Sequence, residues 1–164
     1  MADYVSLRQN HKWQKTSQVT RDTQLHFADI VNKINRSNGK ISSQLLVITS
    51  SALLLLDQRT FHAKYRVALA NIESISLSPH HDTVAAFHLS KVSCRVAHVT
   101  LFFLVRYGSL AVVLQQENGD GLAKKGDVLL ASDHMLEIVT KIVTLGRDYR
   151  GSQPSVHITT QYVT

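Results

Sequence analysis

The turn pair Asn38-Gly39 is followed by an apolar run from Gln44 to Leu56, broken only near its middle by Thr49-Ser50-Ser51. A run of that length bounded by turn residues reads as strand, with Ser50-Ser51 as a bend, and Asn-Gly ahead of it is hairpin chemistry. The flanking segments keep the same period of two. Leu25 to Asn32 alternates weakly, Asp57-Gln58-Arg59-Thr60 makes a turn, and Phe61 to Leu69 and Ile72 to Leu77 alternate apolar with polar positions. Ser78-Pro79-His80-His81-Asp82 then reads as a turn before a strand over Val84 to Leu89, and Gly126-Asp127 opens another at Val128-Leu129-Leu130. Ser132-Asp133 is an N-cap pair for a helix through about Leu145, with Leu136, Val139, Thr140 and Val143 as its buried face and Gly146 as its end. Val156 to Val163 is a candidate closing strand, and residues 3–15, with Tyr4, Val5, Leu7 and Trp13, have loosely helical spacing. The expected fold is mainly β with one C-terminal amphipathic helix, a small antiparallel barrel or sandwich.

At 164 residues, 44% hydrophobic and 18% charged, the chain is most simply one globular domain with a real core. Its single cysteine, Cys94, rules out an intramolecular disulfide and makes a reducing compartment the default. Its polar N-terminus is unlike a secretory signal. The longest apolar candidate, Val96 to Val105, ends at Arg106, short of the ~18–20 residues of a spanning helix, so membrane contact is expected to be peripheral. The charge is one-sided. Up to Arg66 there are ten Lys and Arg against four acids, and beyond it eight of each. Such a field suits lipid headgroups, nucleic acid or an acidic protein face.

Chemistry-bearing motifs are thin. No Gly-x-x-x-x-Gly-Lys-Ser/Thr phosphate loop occurs, since Asn38-Gly39-Lys40 continues into Ile41. His80-His81-Asp82 offers adjacent ligands that do not easily share one ion, and no Cys/His set has zinc spacing. Asp127 and Asp133 read as a strand opener and a helix cap, not as paired acids, and His88 as a hydrogen-bonded structural histidine. The expectation is no enzyme, no metal and no cofactor. Nucleic acid is the runner-up partner on charge, with a sequence pI near 9.6, but the basic segment lacks interleaved aromatics. A protein-interaction scaffold is the third reading.

Several blocks in order resemble the tail homology 1 region of class I myosins, a pleckstrin-homology-like module. They are Phe27-Ala28-Asp29-Ile30-Val31-Asn32-Lys33-Ile34-Asn35-Arg36-Ser37-Asn38-Gly39-Lys40, Leu45 to Thr49, Leu54 to Gln58, Ile75 to Ser78 with Asp82, Phe87-His88-Leu89, and Lys125 to Leu130 with Ser132 to Lys141. The opening Ala2 to Leu7 and Lys12-Trp13-Gln14-Lys15 look like the region preceding that tail. The resemblance divides the chain into a helical lead-in, 1–24, and a tail homology domain, 25–164. It implies a pleckstrin-homology-like barrel or sandwich that docks on acidic phospholipids, especially phosphoinositides. Actin would be reached only through a motor domain that lies outside this chain. The implied location is cytoplasmic and cytoskeletal, peripheral at the inner face of the plasma membrane or at endomembranes.

By the same resemblance Lys33 and Lys40, with Arg36 between them, would clamp headgroup phosphates. The usual basic–x–basic pair entering the second strand is replaced by Lys40-Ile41-Ser42, so Lys64 and Arg66 on a following strand are candidate compensators. A further departure is the apolar-rich stretch Val92 to Gln116, which reads either as a retained intron or as an extra hairpin turning at Tyr107-Gly108-Ser109. The chain also stops at Thr164, before the family's final strands, and is expected to be a tail fragment or truncated product.

Overall fold

The computed structural model describes residues 2–20, 22, 24–78, 83–90, 127–150 and 153–158. The 79–82 turn residues, Cys94 and the 92–116 stretch lie outside them, as does the candidate strand beyond Ile158.

The apolar run folds as a hairpin. Strands β1 (Ala2–Asp3), β2 (Leu25–Ile34), β3 (Ile41–Thr49) and β4 (Ala52–Leu56) are followed by β5 (Ala63–Ala68), β6 (Ile72–Leu77), β7 (Val84–Leu89), β8 (Val128–Ala131) and β9 (Ser155–Ile158). Helix α1 (His11–Thr20) lies between β1 and β2, and α2 (Met135–Arg150) between β8 and β9. Within the hairpin Leu45 faces Leu56 and Ile48 faces Leu53. Thr49 closes its turn, its Oγ1 accepting from Ala52 N at 3.1 Å and donating to Ala52 O at 3.0 Å.

From Gln44 onward both faces of β3 and β4 are buried, which explains why the run is continuously apolar rather than alternating. Leu46, Ile48, Leu53 and Leu55 join Phe27, Phe87 and Leu130 in a cluster beneath α2. Leu45, Val47, Leu54 and Leu56 join Leu7 and Trp13 in a second cluster beneath the N-terminal segment. Each fully buried leucine contributes about 2 kcal/mol of apolar transfer.

The sheet runs β5-β4-β3-β2-β8-β7-β6-β9, with β1 beside β2. It does not close, because β5 and β9 stand at opposite edges, so the architecture is mainly β and sandwich-like with a C-terminal helix. Two pairings are parallel, β1 with β2 and β6 with β9. Short β1 shares an edge of β2 with β8. β1 takes Phe27 and Ala28, and β8 takes Asn32 to Ile34.

Three local expectations need correction. Tyr4 and Val5 are not helical: the chain enters as β1, makes a 3-10 turn at Leu7–Gln9, and becomes α-helical only at His11. Asp3 holds that turn, its carboxylate accepting from Leu7 N at 2.8 Å and Arg8 N at 3.1 Å. Helix α2 buries Met135, Ile138, Val139 and Ile142, while Leu136 is 54% exposed and Thr140 faces solvent. Its phase is set by residues just ahead of it. Ser132 Oγ caps His134 N at 3.1 Å, and His134 Nδ1 lies 2.9 Å from Asp29 Oδ2, which turns Met135 into the core. Gly146 does not end α2. Pro154 packs over it, so that a Cβ there would lie 3.2 Å from the proline Cδ.

Candidate functional site

The basic residues of the β2–β3 connection sit on a loop shaped by its own backbone. Asn35 N donates to Lys40 O at 2.9 Å, and Gly39 N donates to Asn35 O at 2.8 Å. Asn35 Oδ1 accepts from Ser37 N and Asn38 Oδ1 from Lys40 N, local bonds that asparagine favours in turns. Gly39 has φ +65°, the left-handed region a residue without Cβ enters at little cost.

Lys33 lies opposite Ser42 on β3 and opposite Leu130 on β8. Its Nζ stands 5.1 Å from the centroid of the Tyr65 ring, a cation–π contact that leaves the ammonium without an acid. Alternation puts Lys33, Ser42 and Gln44 on the face that carries Val31 and Leu46. There Gln44 Nε2 donates to Ser42 Oγ at 3.3 Å, and Ser42 Oγ donates to Lys33 O at 3.5 Å. Gln44 is buried, and its Oε1 has no partner among the described residues. Ser42, where the resemblance calls for a second cation, is thus directly across from Lys33. Lys40 is exposed, with no acid beside its ammonium among the described residues. Arg36 has a loose partner, Asp127, at 3.5 Å.

Lys64 and Arg66 are not brought to this loop. Leu55 pairs with Tyr65 and Leu56 with Ala63, so Lys64 is the extra residue of a β-bulge and the alternation breaks there. Lys64 Nζ pairs with Asp57 at 2.9 Å. That bond, together with backbone amides of Thr60 and Arg59, holds the Asp57 carboxyl well below the usual carboxylate range. Arg66 lies between Tyr65 and Val67 and points to the other face of the sheet. Its Nε and a terminal nitrogen bind the buried Asp22 carboxylate at 2.9 and 3.2 Å. The Ser51 hydroxyl also donates to Asp22 at 2.6 Å, and Thr49 Oγ1 lies 3.4 Å from the same oxygen. Nothing local in the sequence announces Asp22 as the centre of this network, because its partners lie 27 to 44 residues away.

A second network was equally hidden. His88 Nδ1 lies 2.9 Å from Asp127 Oδ2, and His88 Nε2 lies 2.9 Å from Ser76 Oγ. A carboxylate only accepts, so Nδ1 donates, and His88 is hydrogen-bonded on both sides as its strand position suggests. The order Ser–His–Asp is that of a hydrolase triad, but the setting differs. Ser76 is buried in mid-strand, and β6 is paired on both edges, so its amides serve ladders rather than an oxyanion hole. Asp127 also accepts from Leu89 N, fastening β7 to the start of β8 and offering its other oxygen to Arg36. Among the described residues no group of three or more His, Cys, Asp or Glu gathers as a metal site, and no helix is long and apolar enough to cross a membrane. The His80-His81-Asp82 turn lies outside the described residues.

Residues 1–163 match the family model described as unconventional myosin tail, actin- and lipid-binding. Mouse unconventional myosin-Ib is 30% identical over 139 residues, covering 85% of this chain and 10% of that protein. Chicken unconventional myosin-Ia is 31% identical over 140 residues, covering 85% and 11%. The chain spans about a tenth of the length of these relatives. Among solved structures, the hSac2 domain of human phosphoinositide phosphatase Sac2 superposes with a TM-score of 0.47 at 13% identity, covering 94% of this chain and 93% of that one. The Slm1 pleckstrin-homology domain in complex with inositol 4-phosphate gives 0.44 at 10% identity, covering 75% and 94%. The family model and the myosin identities together establish that the chain belongs to the actin- and lipid-binding tail homology 1 family of unconventional, class I myosins.

Proposed function

We propose that this chain is a peripheral membrane anchor that docks on acidic phospholipids, phosphoinositides among them, through the β2–β3 loop. The observation that carries the reading is the presence of two cations, Lys33 and Lys40, at one hairpin end with no acid holding either ammonium among the described residues. Arg36 joins them by exchanging its loose bond to Asp127 for a phosphate, which its guanidinium binds in two-pronged fashion. Lys64 and Arg66, already paired with Asp57 and Asp22, contribute only to the general positive field. In the longer protein the anchor would tie an actin motor to the inner face of the plasma membrane or to endomembranes.

Each basic residue at an anionic surface contributes about 1 kcal/mol, or about fivefold in affinity. Cosedimentation with vesicles of neutral, phosphatidylserine-containing and phosphoinositide-containing composition tests this at low and physiological salt. Lys33→Ala/Lys40→Ala is expected to weaken binding to charged vesicles by about 25-fold. Lys64→Ala is expected to change it less than twofold. Undiminished binding by the folded double variant would sink the assignment, and equal binding to every anionic vesicle would reduce it to charge without headgroup choice.

A further inference from the structure

The two faces of the β2–β3 hairpin differ at its tip. Lys33 and Ser42 face each other on one side, and the next pair, Ile34 and Ile41, face each other on the opposite side. That opposite side carries the second cluster further along, at Leu45 and Val47, but the cluster stops short of the tip. Ile41 is consequently 61% exposed, immediately beside Lys40. Between Asp29 and Asp57 the sequence contains no acid at all. An exposed isoleucine alone is ordinary. Here it lies at a hairpin tip whose own residues include three cations and no acid, and that combination matches the layered chemistry of an anionic bilayer surface, charge outside and hydrocarbon below.

We infer that the hairpin tip enters the bilayer interface, with Ile41 and its neighbour Ile34 as a shallow apolar wedge and Lys33, Arg36 and Lys40 left at headgroup level. The occupant is the lipid bilayer itself, not a free inositol phosphate, since only the bilayer supplies hydrocarbon beneath its phosphates. The inference rests on the membrane-docking reading and adds to it a depth and an orientation. Lysine at this depth keeps its ammonium in water while its stem lies along the apolar layer.

Ile41→Trp in the otherwise unchanged chain provides the reporter. On adding phosphatidylserine–phosphatidylcholine vesicles, its emission is expected to shift to the blue and to be quenched by bromine on the acyl chains. Val19→Trp, at a position 84% exposed on α1, is expected to stay unquenched. Ile41→Ser is expected to lose about fivefold in affinity for those vesicles while binding soluble inositol hexakisphosphate within twofold of the parent. An unquenched indole in the Ile41→Trp chain, with full vesicle binding by Ile41→Ser, overturns the wedge and leaves headgroup docking standing. Failure of the folded parent chain to bind the vesicles overturns both.

Discussion

Asp22 and Arg66 show how much one buried carboxylate can organise. Asp22 is 2% exposed and collects the Arg66 guanidinium and the Ser51 hydroxyl from the β3–β4 turn. Removing the cation strands a buried charge, whereas removing both members does not. Arg66→Met is therefore expected to destabilise the fold by about 2 kcal/mol in urea unfolding, and Asp22→Asn in the same background to restore a good part of it. His26 makes a pH-dependent counterpart. Burial, then the positive charges of Lys141 and Arg8, lower its pKa from 6.5. The unfolded chain thus takes up the proton more readily, so stability falls as pH drops below about 6.5. His26→Gln should flatten the Tm profile between about pH 7 and 5.5; an unchanged slope would assign the acid sensitivity elsewhere.

Elements were legible where one face decides their pattern. Ile75 and Leu77 alternate with Ser74 and Ser76 because β6 turns them toward the α2 cluster, a bulge at Glu73 brings Ile72 to the same face, and Asn38-Gly39 marks a real turn because Gly39 takes positive φ. The Ser50-Ser51 bend separates two strands that a purely apolar reading merges. What escaped the sequence depends on distant partners. The phase of α2 follows from Asp29 binding His134, 105 residues away, and the bulge at Lys64 follows from the pairing of β4 with β5. For the candidate site, Lys33, Arg36 and Lys40 are contiguous enough to be seen as a cluster, whereas only simple alternation put Arg66 on their surface. The same dependence governs the end of α2. Gly146 lets Pro154 sit close and lead into β9, so Gly146→Leu is expected to displace that edge strand. Hydrogen exchange should then quicken at Val156 and Ile158 while β3 and β4 stay protected; protection retained at β9 would show that Pro154 is not its support.

Across the molecule, one sheet is covered on one side by α2 and on the other by the N-terminal segment. Residues 2–20 share a core with β2, β3 and β4 through Leu7 and Trp13. Tyr4 adds a fastening at the start of α2. Its ring stacks on His134 at 3.9 Å and its hydroxyl donates to Glu137 at 2.8 Å, a bond that heads the causes raising the tyrosine pKa. Strand β1 runs parallel to β2, pairing near the end of β2 that lies farthest from the lysine loop. A pull on Ala2 against a hairpin held at its tip therefore acts along the strands. Loaded in that direction, the β1–β2 bonds and the Tyr4 N to Ala28 O bond resist sliding together instead of unzipping singly, which is the geometry of a lap joint under tension.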